Sequence, residues 1–150
     1  MVVHGPPGRT VQYLDMNEGG YVIRSVSIQI TNNFKRSELY NRAGDFSKLT
    51  EKKQTDLFNS SYYHKTYNLG NIFPNTVKTI ESYVLDENQN EIDLFIKIFA
   101  ENGVFTERIK QIDLWGKMKS AVEIRDSNYK IIHESVDKYF PRNEDGTVKW

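Results

Sequence analysis

Hydrophobic and polar residues alternate most regularly in the middle of the chain, between residues 92 and 100. Every second position there is aliphatic: Ile92, Leu94, Ile96 and Ile98. The positions between them are charged or aromatic: Asp93, Phe95, Lys97 and Phe99. Because successive side chains of a β-strand point to opposite faces, this period of two predicts a strand with one buried and one mixed face.

The same signal recurs on both sides of this strand. Residues 21–31 alternate with only Arg24 breaking the aliphatic row. Asn102-Gly103 predicts a type I′ hairpin turn, because both residue types tolerate the positive φ that its two central positions need. Further strands are expected at residues 10–16, from 76, from 104, at 122–125 and at 129–134. The predicted fold class is mainly β (all-β or α+β): an antiparallel β-sandwich or open barrel of six to eight strands.

Residues 106–120 admit two interpretations. Phe105, Ile109, Ile112 and Trp115 also lie at helical spacing, so a helix is the alternative to a strand. The preceding Asn-Gly turn and the β-branched Thr106 favour a strand. We therefore predict a strand that continues to Leu114.

Residues 32–75 are more polar and only weakly periodic. Ser47 or Thr50 could cap a helix that runs to about Phe58, and a shorter helical turn could follow Ser37. We expect one or two short helices within residues 35–66. The predicted organisation is an extended N-terminal arm at residues 1–9, then a single β-rich domain at 10–150 with a polar, aromatic insertion at 32–75.

The amino-acid composition excludes several kinds of functional site. The 150 residues include no cysteine, which excludes disulfides, thiolate zinc sites and a cysteine nucleophile. Basic and acidic residues number 20 each, so no global field attracts DNA or an anionic membrane. The sequence contains neither a recognisable signal peptide nor a run of about 18 apolar residues. We expect a soluble protein, cytoplasmic or assembled into a particle, with no membrane partner.

Two patterns could suggest a cofactor or metal site, but neither has the residues or spacing that such a site needs. Residues 5–10, Gly-Pro-Pro-Gly-Arg-Thr, lack the Gly-Lys-Ser/Thr of a phosphate-binding loop. The histidines, His4, His64 and His133, are far apart in the chain and show no ligand spacing. We predict no cofactor at either place.

A third pattern resembles a calcium loop in part. Asp86, Asn88 and Asn90 match the first three ligand positions of an EF-hand. Glu91 replaces the glycine of the sharp turn, and Lys97 replaces the bidentate glutamate. An ammonium group cannot close a cation cage, so we predict an ordinary polar loop and no metal.

Residues 62–66, Tyr-Tyr-His-Lys-Thr, are the densest cluster of reactive side chains. His64 could act as a general base beside Tyr63, with Lys65 steadying a phosphate. The alternative, which we favour, is an aromatic patch that packs the insertion onto the sheet. No catalytic residue is predicted beyond these three candidates.

The insertion is also the most basic part of the chain. Between Phe34 and Thr66, seven basic residues stand against four acidic ones, interleaved with six aromatic residues. Rings that stack on bases and cations that meet phosphates can bind nucleic acid. The charge excess is small for such a role, so a solvated or protein-binding face is favoured.

The predicted function is non-enzymatic: assembly or protein–protein interaction, as in a structural subunit of a larger particle, for example a phage tail or capsid accessory component. Aromatic side chains supply binding energy when a partner buries them. The residues expected to meet a protein partner or a second copy are Pro6, Pro7, Tyr62, Tyr63 and Trp150. Two alternatives stay open: a glycan or host-surface binding module, and a small hydrolase or nuclease centred on His64.

Overall fold

The computed structural model, which describes residues 2–4, 10–16, 20–84 and 90–150, confirms the mainly β prediction. The strands are β1 (Val2–His4), β2 (Thr10–Met16), β3 (Ile23–Asn32), β4 (His64–Ile72), β5 (Val77–Val84), β6 (Glu91–Ala100), β7 (Gly103–Leu114), β8 (Lys117–Arg125) and β9 (Ile131–Val136). The helices are α1 (Asn33–Ala43) and α2 (Glu51–Phe58), with a 3₁₀ turn (Phe46–Lys48) between them. Six strands form one antiparallel sheet, β4-β3-β6-β7-β8-β9, and three form another, β1-β2-β5.

The hydrophobic core covers one face of the six-stranded sheet. Ile92, Leu94 and Ile96 of β6 are buried, as the alternation predicts. Ile96 pairs with Ile30 of β3 and Leu94 with Ile109 of β7, so the aliphatic rows of neighbouring strands meet. Burying each such side chain contributes about 1.5–3 kcal/mol, and a slip of one residue would place the polar face in the core. The aliphatic rows therefore set the register of the sheet.

The smaller sheet borders the same core. Ile80 of β5 packs against the buried cluster, and β5 pairs with β2 in antiparallel register. Val2–His4, within the predicted arm, pairs with β2 as a short strand. Pro6 and Pro7 lie outside the described residues, so the arm across residues 1–9 stays a prediction.

The turn after β6 is one residue away from its predicted position. Ala100 pairs with Gly103, so Glu101 and Asn102 form the two-residue loop. Positive φ occurs at Gly103 (143°) and not at Asn102. The predicted type I′ turn is wrong here, because pairing of the aliphatic rows fixes the register and the loop takes whatever residues remain.

The strand interpretation of residues 106–120 is confirmed, since β7 continues to Leu114. The next turn does have type I′ character: Trp115 and Gly116 have φ of 55° and 77°. Asp113 Oδ1 accepts a hydrogen bond from the Gly116 N–H at 2.7 Å. The side chain of Trp115 is 92% exposed at the tip of this hairpin.

The polar insertion forms two helices, as predicted. Thr50 caps α2 through its hydroxyl, and the helix ends at Phe58. α1 is longer than the turn expected after Ser37, because the Asn32 side chain accepts a hydrogen bond from the first turn and starts the helix earlier. Among the described residues, no helix is long and apolar enough to cross a membrane.

The insertion returns to the sheet as β4, a strand that its weak alternation did not indicate. β4 pairs with β3 and forms one edge of the sheet. Lys78 Nζ donates hydrogen bonds to the carbonyls of Leu69 (2.6 Å) and Asn71 (3.4 Å), which occupies acceptors on this strand. At the other end of the chain, Phe140 and Val148 pack on Ala121 of β8, with Trp150 partly buried beside them. This C-terminal segment covers part of the face that the core leaves free.

Candidate functional site

Two rows of mainly polar side chains cross the sheet on the face opposite the core. Antiparallel register places one residue from each strand beside the next. From β4 to β9, the first row is Thr66, Gln29, Lys97, Thr106, Arg125 and Ile131. The second row is His64, Thr31, Phe95, Arg108, Glu123 and Glu134. Neighbouring strands are roughly 4.8 Å apart, so residues distant in sequence become adjacent.

Most of these residues form the floor of a cleft of about 820 Å³. The insertion contributes further lining residues: Asn33, Arg36, Phe58, Asn59 and Tyr63. Tyr129, from the turn between β8 and β9, and Trp150, from the C-terminal segment, complete the lining. The volume lies within the roughly 300–1,000 Å³ of typical ligand sites. Sheet, insertion and C-terminal segment therefore build one concave surface.

The cleft carries an excess of positive charge. Four cationic side chains, Arg36, Lys97, Arg108 and Arg125, line it with one carboxylate, Glu123, giving a formal charge of +3. The whole chain has no net charge, so this excess is local. A cleft lined by one sign of charge concentrates ligands of the opposite sign.

Arg108 is held in place from two directions. Its Nη2 lies 3.6 Å from Asp93 Oδ2, and its guanidinium lies 5.1 Å from the centre of the Trp150 ring. Its Nε is buried and has no hydrogen-bond partner among the described residues. The guanidinium is thus oriented while one of its donors is left unused.

Asp93 also attaches α1 to the sheet. Its Oδ1 accepts a hydrogen bond of 2.7 Å from Asn33 Nδ2. All of α1 lies within the described residues, and none of its side chains is buried. This contact ties the first turn of α1 to the sheet, and Asp93 sets both Asn33 and Arg108 at the cleft.

Arg125 is oriented by Glu123. The Arg125 Nε donates to Glu123 Oε1 at 2.5 Å, and Nη1 donates to the carbonyl of Tyr129 at 3.3 Å. The bond to Glu123 raises the pKa of Arg125, so the guanidinium keeps its charge. By contrast, Lys97 is exposed and makes no ion pair with any residue that the structure describes. Lys97 and the likewise exposed Arg36 are the cleft cations without an ion-pair partner among the described residues.

Three aromatic rings of the lining differ in exposure. Phe58, the last residue of α2, is 69% exposed, and Tyr129 is 74% exposed. Trp150 is partly buried. Tyr129 has a φ of 60°, so the turn holds this ring in a backbone conformation that bulky residues rarely adopt. Phe58 and Tyr129 leave large ring surfaces free to stack against a ligand.

Tyr63 is 6% exposed and lines the cleft from within the fold. Its hydroxyl lies within hydrogen-bond distance of the carbonyls of Leu57 (2.8 Å) and Phe58 (2.7 Å). Burial, aided by the hydroxyl of Tyr40, raises the pKa of Tyr63 to about 12. The phenol therefore keeps its proton at neutral pH and ties the end of α2 to the start of β4.

The other predicted partner-binding residue of the insertion, Tyr62, is 42% exposed and is not among the cleft-lining residues. Its hydroxyl donates to Glu38 Oε2 at 2.7 Å, and Lys35 Nζ lies 5.3 Å from its ring centre. These contacts join α1 to the segment before β4. A role for Tyr62 in partner binding stays a prediction.

His64 lines the cleft, with its Nδ1 3.0 Å from Thr31 Oγ1. Lys65 pairs with Ile30, which is buried in the core, so Lys65 belongs to the opposite face of the sheet. The structure does not bring His64 and Lys65 to one surface. Lys97, Arg108 and Arg125 are the sheet cations that share the cleft with His64.

Metal-ligating side chains do not gather in the described part of the chain: no three His, Cys, Asp or Glu residues there could hold one ion together. His64 and His133 belong to β4 and β9, the two edges of the sheet. Asp86 and Asn88, like residues 5–9, lie outside the described residues.

Comparison with known proteins does not indicate a function for this chain. A scan against models of protein families, a search of curated proteins and a search of solved structures each returned no match. The class of ligand must therefore be inferred from the charges and rings of the cleft.

The cleft contains three residues that were predicted from the sequence as site residues: Tyr63, His64 and Trp150. The cations of the floor were not predicted. Lys97 was visible on the mixed face of β6, but as an isolated charge. Charged residues at alternate positions of β7 and β8 were the signal for Arg108 and Arg125. That signal becomes a site only when the strand register is known.

Proposed function

We propose that this protein is a non-enzymatic binding protein and that its cleft holds an anionic ligand, free or as a segment of a larger partner. One observation carries the proposal: four cations and one carboxylate line the same cleft in a chain without net charge. An anion entering the cleft would meet this local positive field, and Lys97 and Arg36 have no ion-pair partner among the described residues. The proposal assigns the predicted interaction function to the surface of the cleft.

Lys97 and Arg108 would make the decisive contacts. Lys97 is exposed and has no ion-pair partner among the described residues, and the Arg108 side chain is 35% exposed with its guanidinium oriented by Asp93. A hydrogen bond to a charged group contributes about 1.5–3 kcal/mol. Asn59 and Gln29 add polar groups that can donate and accept.

Trp150 provides a direct reporter of binding. The chain contains two tryptophans, so Trp115→Phe leaves Trp150 as the only indole, inside the cleft. We would titrate this variant with a short oligothymidylate, a poly-glutamate peptide, a heparin oligosaccharide and neutral maltohexaose. We expect at least one polyanion to change the Trp150 fluorescence, and salt to weaken its binding.

A pair of lysine variants locates that binding. Lys97→Gln should weaken polyanion binding about tenfold, because it removes one charged hydrogen bond. Lys117→Gln removes the same charge from a residue that does not line the cleft and should leave the affinity unchanged. The proposal fails if no polyanion binds, or if both variants weaken binding equally.

Self-association is the second function that a specific observation favours. Within the described ranges β9 pairs only with β8, and five of its six residues are exposed. An exposed strand edge presents unpaired N–H and C=O groups to a further strand. We propose assembly through β9 as the form that the predicted structural role would take.

The two remaining alternatives are decided by the same titration. Binding of neutral maltohexaose in preference to every polyanion would favour a glycan-binding module. Cleavage of the oligothymidylate, lost in His64→Gln while binding persists, would favour a hydrolase centred on His64.

A further inference from the structure

We infer that the anionic ligand of the cleft is a single-stranded nucleic acid. This inference rests on the proposed anion-binding role and names the class of ligand. Cations alone suit any polyanion, but the cleft combines them with exposed aromatic rings. A nucleotide chain uses both, since phosphates meet cations while the flat faces of bases stack on rings.

The exposed rings are the first argument for nucleotides. Phe58 and Tyr129 line the cleft with 69% and 74% of their surface exposed. An acidic peptide or a sulfated sugar would engage Lys97 and Arg108, but it has no base to lay against these rings. A base offers a flat π-face of comparable size, and the guanidinium of Arg108 beside Trp150 adds a further planar surface.

The span of the floor is the second argument. From β3 to β8 the two rows cross three inter-strand spacings, roughly 14 Å. This length is enough for a few nucleotides of an unpaired strand. Lys97 and Arg125 lie in one row and Arg108 in the next, so cations accompany the chain across the floor.

Base stacking also decides between single and double strands. In a duplex the faces of the bases are covered by their neighbours, and an enzyme must flip a base out to reach it. The rings of Phe58 and Tyr129 could therefore meet bases only in an unpaired strand. Gln29 and Asn59 offer amide groups that can hydrogen-bond to the edges of unpaired bases.

The test is fluorescence anisotropy of the full chain with a labelled short oligothymidylate, at salt concentrations between about 50 and 200 mM. Phe58→Ala and Tyr129→Asn should each weaken binding about tenfold through lost stacking. Asparagine retains the left-handed backbone at position 129. Phe73→Ala, which removes a ring that is 57% exposed outside the cleft lining, is the matched control and should not change the affinity.

Salt dependence separates charge from stacking. Lys97→Gln should reduce the slope of log affinity against log salt by about 0.7, the value for one phosphate contact with a single strand. The two ring variants should leave the slope unchanged. Because Phe58, Tyr129 and Lys97 are exposed, these variants should keep the native circular dichroism spectrum, which is recorded for each.

The outcomes distinguish the two proposals. If the ring variants bind as tightly as the native chain, or if a duplex, poly-glutamate or heparin binds better than the single strand, the nucleic-acid inference is overturned. The anion-binding proposal would stand in each of these cases, provided that Lys97→Gln still weakens binding. If no polyanion binds, both proposals are overturned together.

Discussion

Trp115 combines two unfavourable features at one residue. Its backbone has a φ of 55°, and its side chain is 92% exposed. The left-handed conformation costs an ordinary L-residue roughly 1–2 kcal/mol, and an exposed indole gains little from burial. Neither feature stabilises the isolated chain.

Trp115→Asn should therefore stabilise the isolated chain. Asparagine followed by Gly116 is a preferred type I′ pair, so we expect the free energy of unfolding to rise by about 0.5–1 kcal/mol in urea denaturation. Phe73→Asn, at an exposed position without positive φ, is the control and should not stabilise the chain. A loss of stability in Trp115→Asn would mean that the ring makes native contacts worth more than the backbone strain.

Tyr63 links stability to pH. Burial raises the pKa of Tyr63 from 10.0 to about 12, so the folded state favours the protonated phenol. Its contribution is complete below pH 10 and is lost as the pH rises towards 12, by roughly 2–3 kcal/mol at 1.36 kcal/mol per pKa unit. Burial of this side chain thus makes the join between α2 and β4 sensitive to alkali.

Tyr63→Phe should show this linkage in urea denaturation across that pH range. At neutral pH the variant should lose about 1 kcal/mol with its hydrogen bond. Above pH 10 its stability should fall less steeply than that of the native chain. Tyr139→Phe, at a residue that is 70% exposed, should follow the native curve, and identical alkaline curves for all three proteins would refute the linkage.

At the level of elements, the two edges of the large sheet differ. At β4, Lys78 occupies two carbonyl acceptors, whereas five of the six residues of β9 are exposed. Natural proteins protect edge strands with lysines, bulges or covering segments, because an open edge templates further pairing. β9 has a register shift close to Ile131, which shortens the regular edge without covering it.

If the chain assembles through β9, light scattering should report a multiple of the 17.5 kDa chain mass. Ile132→Lys, at a residue that is 52% exposed in β9, should return the mass to that of one chain, because lysine on an edge opposes pairing. Val22→Lys, at an exposed position outside the strands, should leave the mass unchanged. A single-chain mass for the native protein at every concentration would exclude this assembly.

At the level of the whole molecule, the cleft depends on parts that are distant in sequence. Arg36 comes from the insertion, Lys97 and Arg125 from the sheet, and Trp150 from the C-terminal segment. Asp93 connects these parts, since it contacts both Asn33 of α1 and Arg108 of β7. The cleft therefore exists only in the tertiary structure. Its formal charge of +3 is not visible in the composition, because the whole chain has no net charge.

The strands were predictable wherever one face is aliphatic. The row from Ile92 to Ile98 indicated β6 because burial of alternate side chains is a local demand that any one strand must meet by itself. β4 was not predicted, because an edge strand with polar residues buries few side chains and shows little alternation of hydrophobic and polar residues. α1 was placed too late because the capping role of Asn32 depends on where β3 ends.

By itself, the sequence determined that the chain is mainly β, which face of β6 is buried, and that a helix capped by Ser47 or Thr50 runs to about Phe58. These features follow from period-two burial and from a side-chain cap, both of which act within a few residues. Only the tertiary structure decided the strand register, and with it the meeting of Lys97, Arg108 and Arg125 on one floor. Register depends on contacts between residues far apart in the chain, and no local pattern encodes such contacts.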